Sequence, residues 1–162
     1  MTYMIKLYEH RENDMSKLSD RQILLQSGAI EEAIVYSSLF MPRTEIINEM
    51  VFLRSPGWED DQEFLPKRRS LLNQKANLPK EVFQSQLDSF NWVEVAFVVG
   101  PPKRDVDEEI WAQREAKLAE LMRASWDAHL SRNYAERRFL VRVLPHAETG
   151  SSLGVGFTEL LS

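Results

Sequence analysis

The chain has 162 residues, of which 43% are hydrophobic and 28% are charged, with no cysteine and a formal net charge of −5. This length suits one domain over residues 1–162, and the composition argues against intrinsic disorder, disulfides and thiolate chemistry. The acidic balance disfavours nucleic acid as a partner, and no apolar run approaches the ~20 residues that a membrane span needs. We therefore expect a cytoplasmic protein without a signal peptide.

The first forty residues are predicted to contain one strand and two helices. Tyr3–Tyr8 alternates as a strand does, and a polar loop follows it. Ser19 or Asp20 can cap a short helix that ends at Gly28. Ile30–Phe40 has a helical apolar face, although the segment also suits a strand. We favour the helix.

The middle of the chain is predicted to hold one strand, a long loop and a helix. Ile46–Arg54 is predicted as a single strand. Ser55–Leu78 has no sustained period apart from a short helix around Arg69–Gln74, and a loop this long is usually functional or mobile. A helix over Pro79–Phe90 begins with a proline, which the first turn of a helix tolerates.

Asp105–Arg132 has the clearest period of the chain and predicts one long amphipathic helix. Asp105 can cap its first turn, with Glu108 three residues later in the manner of a capping box. Apolar residues recur at steps of four or seven and form one stripe with two flanking members: Trp111, Leu118, Met122, Trp126 and Leu130, flanked by Ile110 and Leu121.

Three further strands are predicted around this helix. Trp92–Val99 is apolar on both faces apart from Glu94, so we expect it at the centre of a sheet. Phe139–Leu144 and Leu153–Leu160 show strand alternation and together predict a hairpin. The strand–helix–strand passage from Trp92 to Leu144 has the length of a crossover between parallel strands. The predicted fold is α+β: a mixed, mostly antiparallel sheet packed by the long helix and two or three shorter helices.

No catalytic, metal or cofactor motif is recognisable in the sequence. His10 and His146 lie in polar loops and are candidate binding residues, whereas His129 is interpreted as a helix-end histidine. Gly150–Gly156 resembles a phosphate loop only superficially, because a strand and not a helix follows it. Short basic runs such as Lys67–Arg69 are interpreted as solvated loops or ends of elements. We predict no catalytic residue, metal or cofactor.

The strongest candidate binding surface is an acidic segment with a tryptophan, comprising Trp58, Glu59, Asp60 and Asp61. Tryptophan is enriched at the energetic centres of interfaces, and an acidic surface speeds association with a basic partner. The leading hypothesis is a non-enzymatic interaction protein that binds a basic protein. It would be an inhibitor, an immunity-type protein or an accessory factor in a bacterial or phage system. Self-association through the last strand is a further hypothesis.

The alternative hypothesis is a small enzyme or metabolite-binding domain with a polar pocket beside the sheet. His10, His146 and Glu94 would supply its polar groups. Glu94 stands in an otherwise apolar strand, where an unpaired carboxylate is costly to bury. Pairing with Arg142 on a neighbouring strand is the structural explanation that we favour for this residue.

Overall fold

The computed structural model describes most of the chain, over residues 36–37, 39–54, 64–96, 107–150 and 152–160. Residues 38–162 form one compact unit, to which all the elements below belong. The predicted strand Tyr3–Tyr8 and the helix ending at Gly28 lie outside the described residues, and a single domain over 1–162 stays a prediction. Within Ile30–Phe40, the described residues 36–37 and 39–40 are helical.

The fold is α+β, as predicted. The strands are β1 (Thr44–Ile47), β2 (Met50–Leu53), β3 (Trp92–Glu94), β4 (Phe139–Leu144) and β5 (Gly154–Glu159). The helices are α1 (Phe64–Asn73), α2 (Lys80–Asp88), α3 (Glu108–Asn133) and the single-turn α4 (His146–Thr149). Among these helices, none is long and apolar enough to cross a membrane.

The strands form two small antiparallel sheets. One is the hairpin β1–β2, and the other has the strand order β3-β5-β4. Since β3 and β4 are each antiparallel to β5, they run parallel to each other, and α3 connects them as a crossover. The predicted hairpin of the last two strands is confirmed. β5 has a partner on both sides, so the exposed edge expected for self-association of this strand does not exist.

β3 is short and lies at the edge of its sheet, so the prediction of a long central strand over Trp92–Val99 is wrong. Pairing with β5 ends at Glu94, and Val95 and Ala96 are already helical. The apolar run had two interpretations, because a continuous run of this length fits either a buried strand or the start of a buried helix. The central position belongs to β5, whose burial on both faces is permitted by two glycines.

The predicted strand Ile46–Arg54 is a hairpin instead. Asn48 and Glu49 form its turn with φ values of 45° and 69°. Two successive residues of positive φ are typical of the type I′ turn, which matches the twist of the flanking strands. Asparagine adopts this conformation readily, but glutamate does not. The pair therefore gives a weaker hairpin signal than Asn-Gly would.

α1 lies within the segment that the sequence predicts to be mostly loop. It extends over Phe64–Asn73, longer than the short helix predicted around Arg69–Gln74. Pro66 is its third residue, and proline is tolerated there because the first-turn N–H groups have no partner inside the helix. The predicted helix over Pro79–Phe90 is confirmed as α2, but it begins one residue later, at Lys80, with Pro79 as its N-cap residue and not in its first turn.

α3 matches the predicted long helix closely, although its cap differs. The carboxylate of Asp107 accepts hydrogen bonds from the N–H groups of Glu109 and Ile110, at 2.9 and 3.2 Å. The helix therefore begins at Glu108, and Asp105 is not its cap. Of the predicted stripe, Met122, Trp126 and Leu130 are buried, Trp111 and Leu118 are half-buried, and the flanking Ile110 and Leu121 are exposed.

The hairpin β1–β2 separates two hydrophobic clusters. One lies between α3 and the inner face of the β3-β5-β4 sheet, and it includes Val51 and Leu53 of β2. The other lies between the hairpin and helices α1 and α2, and it includes Met50 and Phe52. Because side chains alternate along a strand, β2 contributes to both clusters. All four of its residues are buried.

Three buried polar side chains satisfy the edge of β2 that does not face β1. Val51 donates its N–H to Glu159 Oε2 at 3.0 Å, and its carbonyl accepts from Asn91 Nδ2 at 3.1 Å. Leu53 donates to Asn91 Oδ1 at 2.9 Å, and its carbonyl accepts from Arg68 Nη2 at 2.7 Å. A buried strand edge without partners would be costly, so these side chains take the place of a neighbouring strand.

Candidate functional site

His146 is the one predicted binding residue that the structure describes. The remaining ones, His10, Trp58, Glu59, Asp60 and Asp61, lie outside the described residues, and their roles stay predictions. His146 is the exposed first residue of α4, and its Nε2 lies 3.9 Å from Oε2 of Glu115. This separation exceeds a hydrogen bond.

Glu115 is a buried carboxylate on α3 that sequence reasoning missed. Its Oε1 accepts a hydrogen bond from the N–H of Leu153 at 3.2 Å, which fixes the chain just before β5. A signal was present, because Glu115 lies four residues after Trp111 and three before Leu118. That spacing places it on the apolar stripe. The hydrogen bond from Leu153 and the nearby imidazole of His146 are its polar neighbours in this buried position.

The predicted pair between Glu94 and Arg142 does not form. β5 lies between their strands, so Arg142 bonds instead with Glu148 of α4 at 2.8 Å. Glu94 is half-buried and accepts a hydrogen bond from Ser152 Oγ at 3.3 Å. Its place in an apolar strand is explained by this partner and by partial exposure.

An open cleft of about 650 Å³ lies between α2 and the outer face of the β3-β5-β4 sheet. The cleft brings together residues from two segments that are distant in sequence, 80–92 and 142–148. Its lining consists of Lys80, Glu81, Gln84, Ser85, Asp88 and Ser89 from α2 and its end, Trp92 from β3, Arg142 and Leu144 from β4, and Glu148 from α4. We call this the α2 cleft.

The floor of the α2 cleft depends on two glycines of β5. A Cβ atom on Gly156 would lie 2.7 Å from Trp92 Cβ and 3.0 Å from the Asn91 carbonyl oxygen. A Cβ on Gly154 would lie 3.0 Å from Trp92 Cε3. The 2.7 Å distance is shorter than real Cβ contacts, so glycine at 156 lets Trp92 pack directly against β5, while a side chain at 154 would require the indole to shift by a few tenths of an ångström. The sequence shows the glycines but not the side chain that they accommodate.

Hydrogen bonds and apolar packing hold the wall of the α2 cleft in place. Asp88 accepts from Thr158 Oγ1 of β5 at 2.7 Å and from Gln84 Nε2 at 2.9 Å. Phe83 and Leu87 of the same helix are buried beneath it. The cleft therefore lies on rigid elements, a requirement for precise recognition.

The α2 cleft carries a small excess of negative charge. Its carboxylates are Glu81, Asp88 and Glu148, and its cations are Lys80 and Arg142, which leaves one net negative charge. Arg142 and Glu148 neutralise each other at an exposed position. In the part of the chain that the structure describes, no group of three or more His, Cys, Asp or Glu side chains could hold a metal ion.

The comparisons with known proteins give no relative for this chain. No protein-family model matches it, and no match was found among curated proteins or among solved structures.

Proposed function

We propose that this chain is a protein-interaction domain that binds a basic segment of a partner protein in the α2 cleft. The observation that carries the proposal is the composition of this cleft. An apolar floor of Trp92 and Leu144 lies beside carboxylates on rigid elements. A half-buried tryptophan next to polar groups is typical of the centre of a protein interface. The net charge of −5 favours a basic partner over an acidic one.

The polar groups of the cleft favour a binding role over a catalytic one. Asp88 accepts hydrogen bonds from Thr158 and Gln84, and Arg142 forms an ion pair with Glu148. These contacts fix the walls of the cleft. Among the described residues no histidine lines this cleft, and two of its carboxylates that could transfer protons, Asp88 and Glu148, are held by these partners.

The acidic segment Trp58–Asp61 remains part of the proposal as a second contact region for the same partner. An affinity pull-down from host lysate with the Trp58→Ala variant tests this part. We further propose a cytoplasmic location and a role as an inhibitor, an immunity-type protein or an accessory factor in a bacterial or phage system. These roles all consist of binding one protein without chemistry.

A metabolite-binding domain is the second candidate, because the volume of the α2 cleft lies within the range of small-molecule sites, about 300–1,000 Å³. Against it, such sites bury most of their ligand, and this cleft is open. Neither His146 nor Glu94, the residues expected in such a pocket, lines it.

Glu81→Lys is expected to weaken partner binding about tenfold, because it reverses a charge at the mouth of the cleft. Glu81 is exposed in the first turn of α2. The matched control is Glu108→Lys, which changes an exposed glutamate in the first turn of α3 and so has the same effect on the helix dipole. The partner would be recovered from host lysate, purified and titrated by calorimetry.

Equal affinities for the two variants would contradict the proposed site. If lysate yields no stoichiometric protein and a metabolite raises the melting temperature of wild type more than that of Glu81→Lys, the second candidate replaces the first.

A further inference from the structure

A second cavity, of about 480 Å³, lies where the open end of the β1–β2 hairpin meets the last turn of α3. Its polar lining consists of Arg43, Thr44, Arg54, His129, Asn133 and Tyr134. No carboxylate of the described residues lines it, although the chain as a whole has more acidic than basic residues. This cavity is separate from the α2 cleft, and the inference drawn from it is independent of the function proposed above.

Two arginines face each other across the hairpin at this cavity. The N–H of Arg54 donates to the carbonyl of Arg43 at 2.7 Å, which places the two residues opposite each other just beyond the paired strands. Opposed residues of an antiparallel ladder have Cβ atoms about 4.5–5.5 Å apart, and like charges there repel. In the described part of the chain, neither guanidinium forms an ion pair. A bound anion would relieve this repulsion.

The cavity is held by contacts between the hairpin and α3. The hydroxyl groups of Thr44 and Tyr134 hydrogen-bond to each other at 2.7 Å. The chain that enters β1 is tied to α3, because Ser125 Oγ donates to the Phe40 carbonyl and Trp126 Nε1 to that of Leu39. The backbone that carries the two arginines is thus fixed against α3 before any ligand arrives, which lowers the entropic cost of binding.

The carboxyl end of α3 opposes an anion here, but its effect is reduced. A helix C-terminus carries a partial negative charge on its last carbonyl groups. The carbonyl of His129 accepts from Asn133 Nδ2 at 2.8 Å, and that of Leu130 accepts from the N–H of Tyr134 at 2.9 Å. Two full positive charges outweigh the remaining partial charge.

We propose that this cavity binds the phosphate group of a small molecule. Guanidinium groups bind phosphate through paired, charge-assisted hydrogen bonds, and a doubly charged tetrahedral anion can bridge two of them. His129, Asn133 and Tyr134 add further polar groups around the anion. A small anion suits this cavity better than a nucleic acid, whose extended phosphate backbone would meet the acidic remainder of the surface.

The test is titration of ¹⁵N-labelled protein with inorganic phosphate, pyrophosphate and glucose 6-phosphate, with sodium chloride at matched ionic strength. We expect saturable shifts of the Arg54 and Tyr134 amide signals in the millimolar range with the phosphates alone. Arg43→Gln and Arg54→Gln should each weaken binding about tenfold, because each removes a charge-assisted contact. Both side chains are exposed, so the fold should persist.

Arg114→Gln, at an exposed position of α3 outside the cavity, is the matched control and should bind as wild type does. Tighter binding of glucose 6-phosphate would identify a phosphorylated metabolite as the ligand class, whereas equal or weaker binding would identify free phosphate. Shifts that do not saturate, or that are equal in all variants, would overturn the proposal.

Discussion

Replacing Asn91 with leucine is expected to lower the free energy of unfolding by about 4 kcal/mol. The Asn91 side chain is fully buried and bonds both the N–H of Leu53 and the carbonyl of Val51. Leucine has a similar size but neither donor nor acceptor, so two buried backbone groups lose their partners at about 1–3 kcal/mol each. Natural domains have only about 5–15 kcal/mol of stability, so this single change removes a large share.

Urea denaturation followed by tryptophan fluorescence measures this loss. Asn77→Leu is the matched control, because Asn77 is exposed, and its change should stay within about 0.5 kcal/mol. Asn91→Asp keeps one acceptor for Leu53 but adds a buried charge, so it should also destabilise the protein. If Asn91→Leu and Asn77→Leu had the same denaturation midpoint, the Asn91 side chain would not stabilise the hairpin.

Trp126→Ala is expected to lower the free energy of unfolding by about 4 kcal/mol through the cavity that it leaves. The side chain is 1% exposed in the hydrophobic cluster between α3 and the β3-β5-β4 sheet, where it makes an edge-to-face contact with Phe157. Its indole N–H also donates to the carbonyl of Leu39. Trp126→Phe retains most of the packing and loses this donor, so about half of the effect should remain.

Thermal and urea unfolding of both variants, beside Trp111→Ala, provide the measurement. Trp111 is half-buried near the start of α3, so its truncation should cost clearly less than that of Trp126. Equal losses of unfolding free energy for Trp111→Ala and Trp126→Ala would contradict the finding that Trp126 is buried more deeply than Trp111.

The helix α3 was predictable because local information determines it. Its apolar residues recur at helical spacing over 26 residues, so single misplaced positions such as Ile110 and Leu121 do not change the assignment. The cap was predicted two residues early because Asp105 and Asp107 are equally good cap residues. Glu115 was missed because a charged residue was not expected on an apolar stripe.

The hydrogen bonds that connect the β1–β2 hairpin to the rest of the unit could not be predicted from the sequence. Asn91, Glu159 and Arg68 bond the edge of β2 across separations of 15 to 108 residues. Each looks like an ordinary polar residue, and Arg68 belongs to a run that was interpreted as solvated. Burial of polar side chains depends on tertiary neighbours, which no local pattern encodes.

The α2 cleft was anticipated only as an unspecified polar pocket beside the sheet. Its residues come from four elements, and the order β3-β5-β4 brings them together. The glycines of β5 were visible, but their role requires knowledge that Trp92 lies opposite Gly156. His146, the described candidate that was chosen from a loop, does not line the cleft, because exposure alone does not indicate a site.

The central claim, that the α2 cleft binds a partner protein, is tested most directly by site-specific photo-crosslinking in the native host. A photoreactive amino acid would replace Ser85, an exposed residue of the cleft, and in a parallel strain Ala116, an exposed residue of α3 outside it. We expect one discrete crosslinked protein from position 85 and none from position 116. A crosslink from position 116 with none from position 85 would contradict the claim.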